Sequence, residues 1–141
     1  MESIEELVAY MSLINIDLLE YMCICKGYLD LNSNICLDIQ VHGLNLRKIE
    51  SHLLNLDTDY SQKLNFLSLK IEELTNKVKI GKKIIPYGPA HVAKCISQRI
   101  SKNFEGETKE YLEKLSEYLY LLGRYINQNF RVYGEQEICI N

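Results

Sequence analysis

Few side chains in this sequence could do chemistry. Cys95 follows His91 by four positions, so on a helix the thiol and imidazole share one face, as a nucleophile and its base would. The same spacing arises when a core thiol neighbours a partly exposed histidine, and that is the preferred reading. Cys23 and Cys25 form a C-x-C pair in a helical stretch, where their side chains diverge by about 200°. That divergence suits core packing better than shared ligation. Cys36 and His42 could complete a four-ligand zinc set, but no metal is expected. Glu72-Glu73 and the pair Glu110 and Glu113 read as solvated helix faces rather than as acid–base pairs. His42, His52 and His91 fall in different elements, and no G-x-S-x-G, phosphate-loop, H-E-x-x-H or dinucleotide fingerprint occurs. The sequence predicts no enzyme and no cofactor.

The elements that must carry these side chains are helical. Over residues 3–25, Ile4, Leu7, Val8, Met11, Ile14, Leu18, Tyr21, Met22 and Cys25 form a stripe about six turns long, which predicts one helix stopped by Gly27. In 28–43, Ile35, Leu37, Ile39 and Val41 alternate with Cys36, Asp38, Gln40 and His42, the period of a strand. A lone strand would lack a partner, so an extended loop with one packed face is expected. A second helix is predicted over 44–56 with Leu46, Ile49, Leu53 and Leu56 on one side, and Asp57-Thr58-Asp59 breaks it. Leu64, Leu67, Ile71, Leu74 and Val78 then mark a helix over 60–80, with Gly81 at its end.

Gly88-Pro89 opens the next helix, with Pro where its missing N–H costs nothing. Val92, Cys95, Ile96, Ile100 and Phe104 give it a buried face, and it is expected to be the most buried of all. After Gly106 comes a long helix over about 108–130 carrying Tyr111, Leu112, Leu115, Tyr118, Leu119, Leu122, Tyr125 and Ile126. The expected fold class is all-α, a bundle of five or six helices.

Composition narrows the functional classes. The 141 residues fit a single domain, 1–141, and 47% hydrophobic with 25% charged residues is ordinary for a globular protein. A net charge of −3 gives no ground for nucleic-acid binding. Lys77, Lys79, Lys82 and Lys83 cluster near a predicted helix end, where cations offset the dipole. Five cysteines, an odd number, with no secretory leader read at the N-terminus, predict free thiols in a reducing compartment. No apolar run is long enough to span a membrane, and the closing Glu135-Gln136-Glu137-Ile138-Cys139-Ile140-Asn141 is read as no anchor.

Two phrases carry a resemblance. Pro86-Tyr87-Gly88-Pro89 opens one helix, and Tyr125-Ile126-Asn127-Gln128-Asn129 closes the next before Tyr133-Gly134. Glu6-Leu7-Val8 with Lys26-Gly27-Tyr28, and Leu46-Arg47-Lys48-Ile49, lie upstream in the same order. Together they resemble signatures of the Bcl-2 apoptosis regulators: N-W-G-R at the start of the central helix and W-I-x-x-N-G-G-W after the one that follows. Tyr87 and Gly88 stand at the family's Trp and Gly, and Tyr125, Ile126 and Asn129 at its later Trp, Ile and Asn. The shortness and lack of a tail anchor are similar to members carried by large DNA viruses.

The resemblance implies a Bcl-2-like helical bundle of five to seven helices around a central apolar hairpin, with a groove that takes a helix. The implied function is an inhibitor of apoptosis that sequesters the homology-3 helix of a pro-apoptotic host relative. The implied groove walls are Leu46, Ile49 and Leu53, then Leu64, Leu67, Ile71 and Leu74, then Tyr87, Gly88, Val92 and Ile96. Gly88 would let the ligand pass close to the backbone, so a side chain there is expected to block docking and largely spare folding. Where the family has the arginine that pairs with the ligand's aspartate, this chain has Pro89, so Lys94, Arg99 or apolar burial alone must substitute. Glu50 and Ser51 replace the small–acidic pair of the homology-3 pattern, which favours a receptor over a ligand.

A homodimer covering the apolar groove is expected, in the cytoplasm of a host cell or peripherally at mitochondria. The alternatives are a viral protein of the same fold that modulates host signalling, or an unrelated dimeric helical regulator.

Overall fold

The computed structural model describes residues 4–42, 60–79, 84–130 and 135–137. Its elements are α1 (Ile4–Leu19), α2 (Met22–His42), α3 (Tyr60–Lys77), β1 (Ile84–Pro86), α4 (Pro89–Ser101), α5 (Gly106–Phe130) and β2 (Glu135–Glu137). The class is all-α, with one small ribbon added. The predicted helix over 44–56 lies outside the described residues, and with it Leu46, Ile49 and Leu53.

The first predicted helix is two. The chain breaks at Glu20 and Tyr21, where the Tyr21 amide donates to the Leu18 carbonyl at 3.0 Å. The Tyr21 carbonyl then accepts from the Ile24 and Cys25 amides, each at 2.9 Å, and α2 starts. Gly27 does not stop it. It lies inside α2, where a Cβ would stand 3.1 Å from the Lys70 Nζ of α3. Residues 28–42 are likewise helical, not extended. Tyr28, Asn32, Ile35, Cys36 and Ile39 are buried at steps of three and four, whereas Leu37 is 51% exposed. The alternation of Ile35, Leu37 and Ile39 is therefore fortuitous: the isoleucines share a helical face and Leu37 points away.

The helix from Pro89 is well covered, as expected: within it Gln98 and Arg99 alone are exposed. It buries one side, through Ala90, Ala93, Ile96, Ser97, Ile100 and Ser101. In α5 the residues from Leu121 to Asn127 are buried without interruption, whereas Glu110, Glu113 and Glu117 of its first half form an exposed stripe. Along α5 lie α4 and α3, and α1 packs on both α2 and α4.

Small side chains make the α4–α5 hairpin tight. A Cβ on Gly123 would stand 3.0 Å from the Ala90 Cβ. Buried Ser97 Oγ donates to the Leu112 carbonyl at 2.8 Å, and Ser116 Oγ donates to the Lys94 carbonyl at 3.3 Å. The α3 stripe forms as predicted, with Leu67, Ile71, Leu74 and Val78 in the core. Tyr118, fully buried on α5, donates to Asn32 Oδ1 at 2.8 Å and fixes the register of α2. Finally β1 and β2 pair antiparallel, Ile84 with Glu137 and Pro86 with Glu135, so the strand leading into α4 meets the strand that follows α5.

Candidate functional site

Gly88 sets the geometry at the head of α4. As N-cap it has φ 117 and ψ 177, a conformation essentially confined to glycine, and it makes no side-chain cap bond. Pro89 follows at the first helical position. The backbone itself thus requires Gly88, whatever docks nearby. A side chain at Gly88 would strain the fold, contrary to expectation.

The second phrase closes on the first. Asn127 Nδ2 donates to the Tyr87 carbonyl at 2.9 Å, across 40 positions of sequence. The first turn of α4 rests on Gly123, one turn before Asn127. Between them lies a narrow recess walled by Tyr87, Gly88, Pro89 and Ala90 on one side and Gly123, Ile126 and Asn127 on the other. Ile14 and Asp17 of α1 close its third side. Tyr87 stands at this recess 49% exposed, an aromatic ring offered to solvent. The polar group that α1 brings is a carboxylate, and Pro89 beside it is half-buried.

Below the recess, buried Arg124 caps the end of α3 by donating from Nη2 to the Lys79 carbonyl at 2.8 Å. Gln128 adds a bond from Nε2 to the same carbonyl at 3.3 Å and accepts from the Lys79 amide at 3.1 Å. Tyr125 is buried against Tyr28, with ring centroids 5.4 Å apart, and against Phe130 at 5.8 Å. Lys77 spans the Tyr28 and Tyr125 rings at 5.5 and 5.7 Å. Glu73 beside them is held below its ordinary range by hydrogen bonding from Tyr28 and by the charges of Lys70 and Lys77, against an opposing effect of partial burial.

Of the expected groove residues, Tyr87 and Gly88 meet at the recess, and half-buried Val92 follows one turn along α4. Ile96 is buried, as are Leu67, Ile71 and Leu74, while Leu64 is half-buried. The apolar side chains that α3 leaves open are instead Phe66 and Leu69, 56% and 61% exposed. Lys94 is half-buried and Arg99 exposed on α4. Asn129 bonds back to the Tyr125 carbonyl of its own helix at 2.9 Å, so the asparagine that joins the two phrases is Asn127. Sequence reasoning missed Asn127, Gly123, Ile14 and Asp17. A lone glycine in the Leu-rich stretch of α5, one turn before an asparagine, was the available signal for the first two.

Among the described residues no group of three or more His, Cys, Asp or Glu could hold a metal, and no helix is long and apolar enough to cross a membrane. Of the considered zinc set, Cys25 and Cys36 are buried in α2, and burial pushes the Cys36 thiol up to about 11 despite a hydrogen bond with Ser12. A scan of protein-family models finds no match to this chain, and no curated protein matches it.

Proposed function

We propose that this protein is a Bcl-2-like, virus-encoded inhibitor of apoptosis that captures the homology-3 helix of a pro-apoptotic relative. The observation that carries the reading is the junction of the two signature-like phrases. Tyr87-Gly88-Pro89 and Gly123 to Asn127 lie far apart in sequence, yet they meet in one recess tied by the Asn127 bond to Tyr87. A helical bundle with a buried hairpin supports it at the level of fold class. Binding would rest on an exposed aromatic, Tyr87, flanked by apolar surface, the usual composition of a hot spot. Because Pro89 cannot donate and Asp17 is acidic, the ligand's aspartate would sit away from this recess.

Hydrogen exchange with and without a homology-3 peptide tests the placement. The reading expects added protection at the first turn of α4 and the last turns of α5. Protection confined to other faces would overturn it.

A second reading is favoured by a separate observation. Leu13, Ile16 and Leu19 on α1, with Ile24 at the start of α2, are 47%, 59%, 55% and 67% exposed. Such an apolar run suits an interaction protein that works through its surface and pairs with itself. Sedimentation separates the two: a dimer broken by Ile16→Glu, with peptide binding absent, would favour the second.

A further inference from the structure

The Cys95 and His91 pair is not used by the proposed function, and the structure gives it a geometry. Both lie on α4, half-buried, with Cys95 Sγ 3.7 Å from His91 Nε2, within reach of a sulfur hydrogen bond. The other two thiols whose surroundings are described are shut away: Cys25 is 0% and Cys36 7% exposed. His91 Nδ1 is enclosed and has no hydrogen-bond partner. Burial, and then the Lys94 charge, hold this imidazole below its ordinary range, so it is neutral near pH 7. In the tautomer that carries its proton on Nδ1, the ring presents Nε2 as an acceptor to the Cys95 S–H. A thiol beside a neutral base is the arrangement of an activated sulfur nucleophile.

We propose that Cys95 and His91 form a covalent modification site for soft electrophiles of the α,β-unsaturated carbonyl class. The step balances with no further reactant. The Cys95 sulfur forms a bond to the β-carbon as its proton passes to His91 Nε2, and the π pair moves to the enolate. His91 then returns that proton to the α-carbon, leaving a thioether and a neutral imidazole. The pair suits this class, because the addition uses one proton acceptor and one proton donor in sequence.

Acrylamide is a suitable probe, being small and slow enough to show assistance. The full chain is treated with it near neutral pH, and adducts at all five cysteines are mapped by peptide mass spectrometry at early times. Cys95 is expected to react well ahead of Cys25 and Cys36, and faster in the folded chain than in urea, although half-buried. An unassisted, half-buried thiol would react more slowly when folded. His91→Gln should slow Cys95 on the order of tenfold, since a free thiol is only a few per cent ionised at pH 7. The comparison of folded with urea-unfolded wild type needs no variant and stands even if His91→Gln fails to fold. A folded Cys95 that reacts no faster than in urea, or at an unchanged rate in a folded His91→Gln protein, would overturn the proposal.

Discussion

Gly123→Ala tests the seam on which the recess is built. In an isolated helix this change would stabilise by roughly 1 kcal/mol, because alanine is the better helix former. Here the new methyl would lie 3.0 Å from the Ala90 Cβ, with the His91 amide nitrogen 3.8 Å away. Carbon atoms prefer about 3.5–4.0 Å, and overpacking of this kind costs roughly 1–3 kcal/mol. The net expectation is a loss of about 0–2 kcal/mol where propensity alone forecasts a gain. Ala90→Gly removes the opposing methyl and should cost up to about 1 kcal/mol by itself. Combined, the two should nearly cancel, a favourable coupling of roughly 1–3 kcal/mol between them. Urea denaturation of the four proteins, followed by far-UV circular dichroism, measures the cycle. Coupling within about 0.5 kcal/mol of zero, the scatter of independent sites, would refute the close approach of α4 and α5.

Three further outcomes are expected. Tyr118→Phe should destabilise by about 1–3 kcal/mol, because Asn32 loses its buried partner; adding Asn32→Leu should recover part of that loss in urea melts. Ser97→Ala should cost roughly 1 kcal/mol by leaving the Leu112 carbonyl without its 2.8 Å donor, read as a lower denaturation midpoint at unchanged slope. Glu73 has its folded-state value depressed, so its contribution is present above the unfolded carboxylate range and fades as pH falls through the folded value. Thermal melts across the acid range should therefore show a shallower loss of stability for Glu73→Gln than for wild type; parallel curves would contradict this.

Helical content was legible where the apolar stripe was long and regular. Leu67, Ile71, Leu74 and Val78 on α3, and Leu112, Leu115, Leu119, Leu122 and Ile126 on α5, are core residues as their spacing predicts. Two errors had one cause, reading a local pattern without its tertiary partner. Gly27 looked like a stop because glycine often ends helices, yet it lies within a helix beside Lys70. Ile35, Leu37 and Ile39 looked like a strand because a short run fits both periods, and only packing shows that Leu37 faces outward. The closeness of two helices was hidden too. Serines 97 and 116, Ala90 and Gly123 carry little hydrophobic signal, but they let α4 lie close along α5 and leave α5 at the centre.

The recess was half legible. Tyr87 and Gly88 were marked by their phrase, while Asn127, which joins the phrases, stood within the second one without being singled out. Singling out Asn127 needs the helical phase relative to the Tyr87 carbonyl, which sequence does not contain. Gly88 was legible as important and not as to why. Its φ of 117 makes it a backbone requirement, so Gly88→Glu would confound strain with blockade. Tyr87, 49% exposed, is the cleaner probe.

The most direct test of a helix-capturing groove is therefore a titration of fluorescent homology-3 peptides from pro-apoptotic relatives against wild type and Tyr87→Glu, read by anisotropy. The account predicts at least one peptide bound with a Kd of about 1 μM or tighter, near −8 kcal/mol. It also predicts that Tyr87→Glu, with its fold checked by circular dichroism, weakens that peptide at least about tenfold. No peptide bound at tens of micromolar, or equal affinity for a well-folded Tyr87→Glu protein, would contradict it.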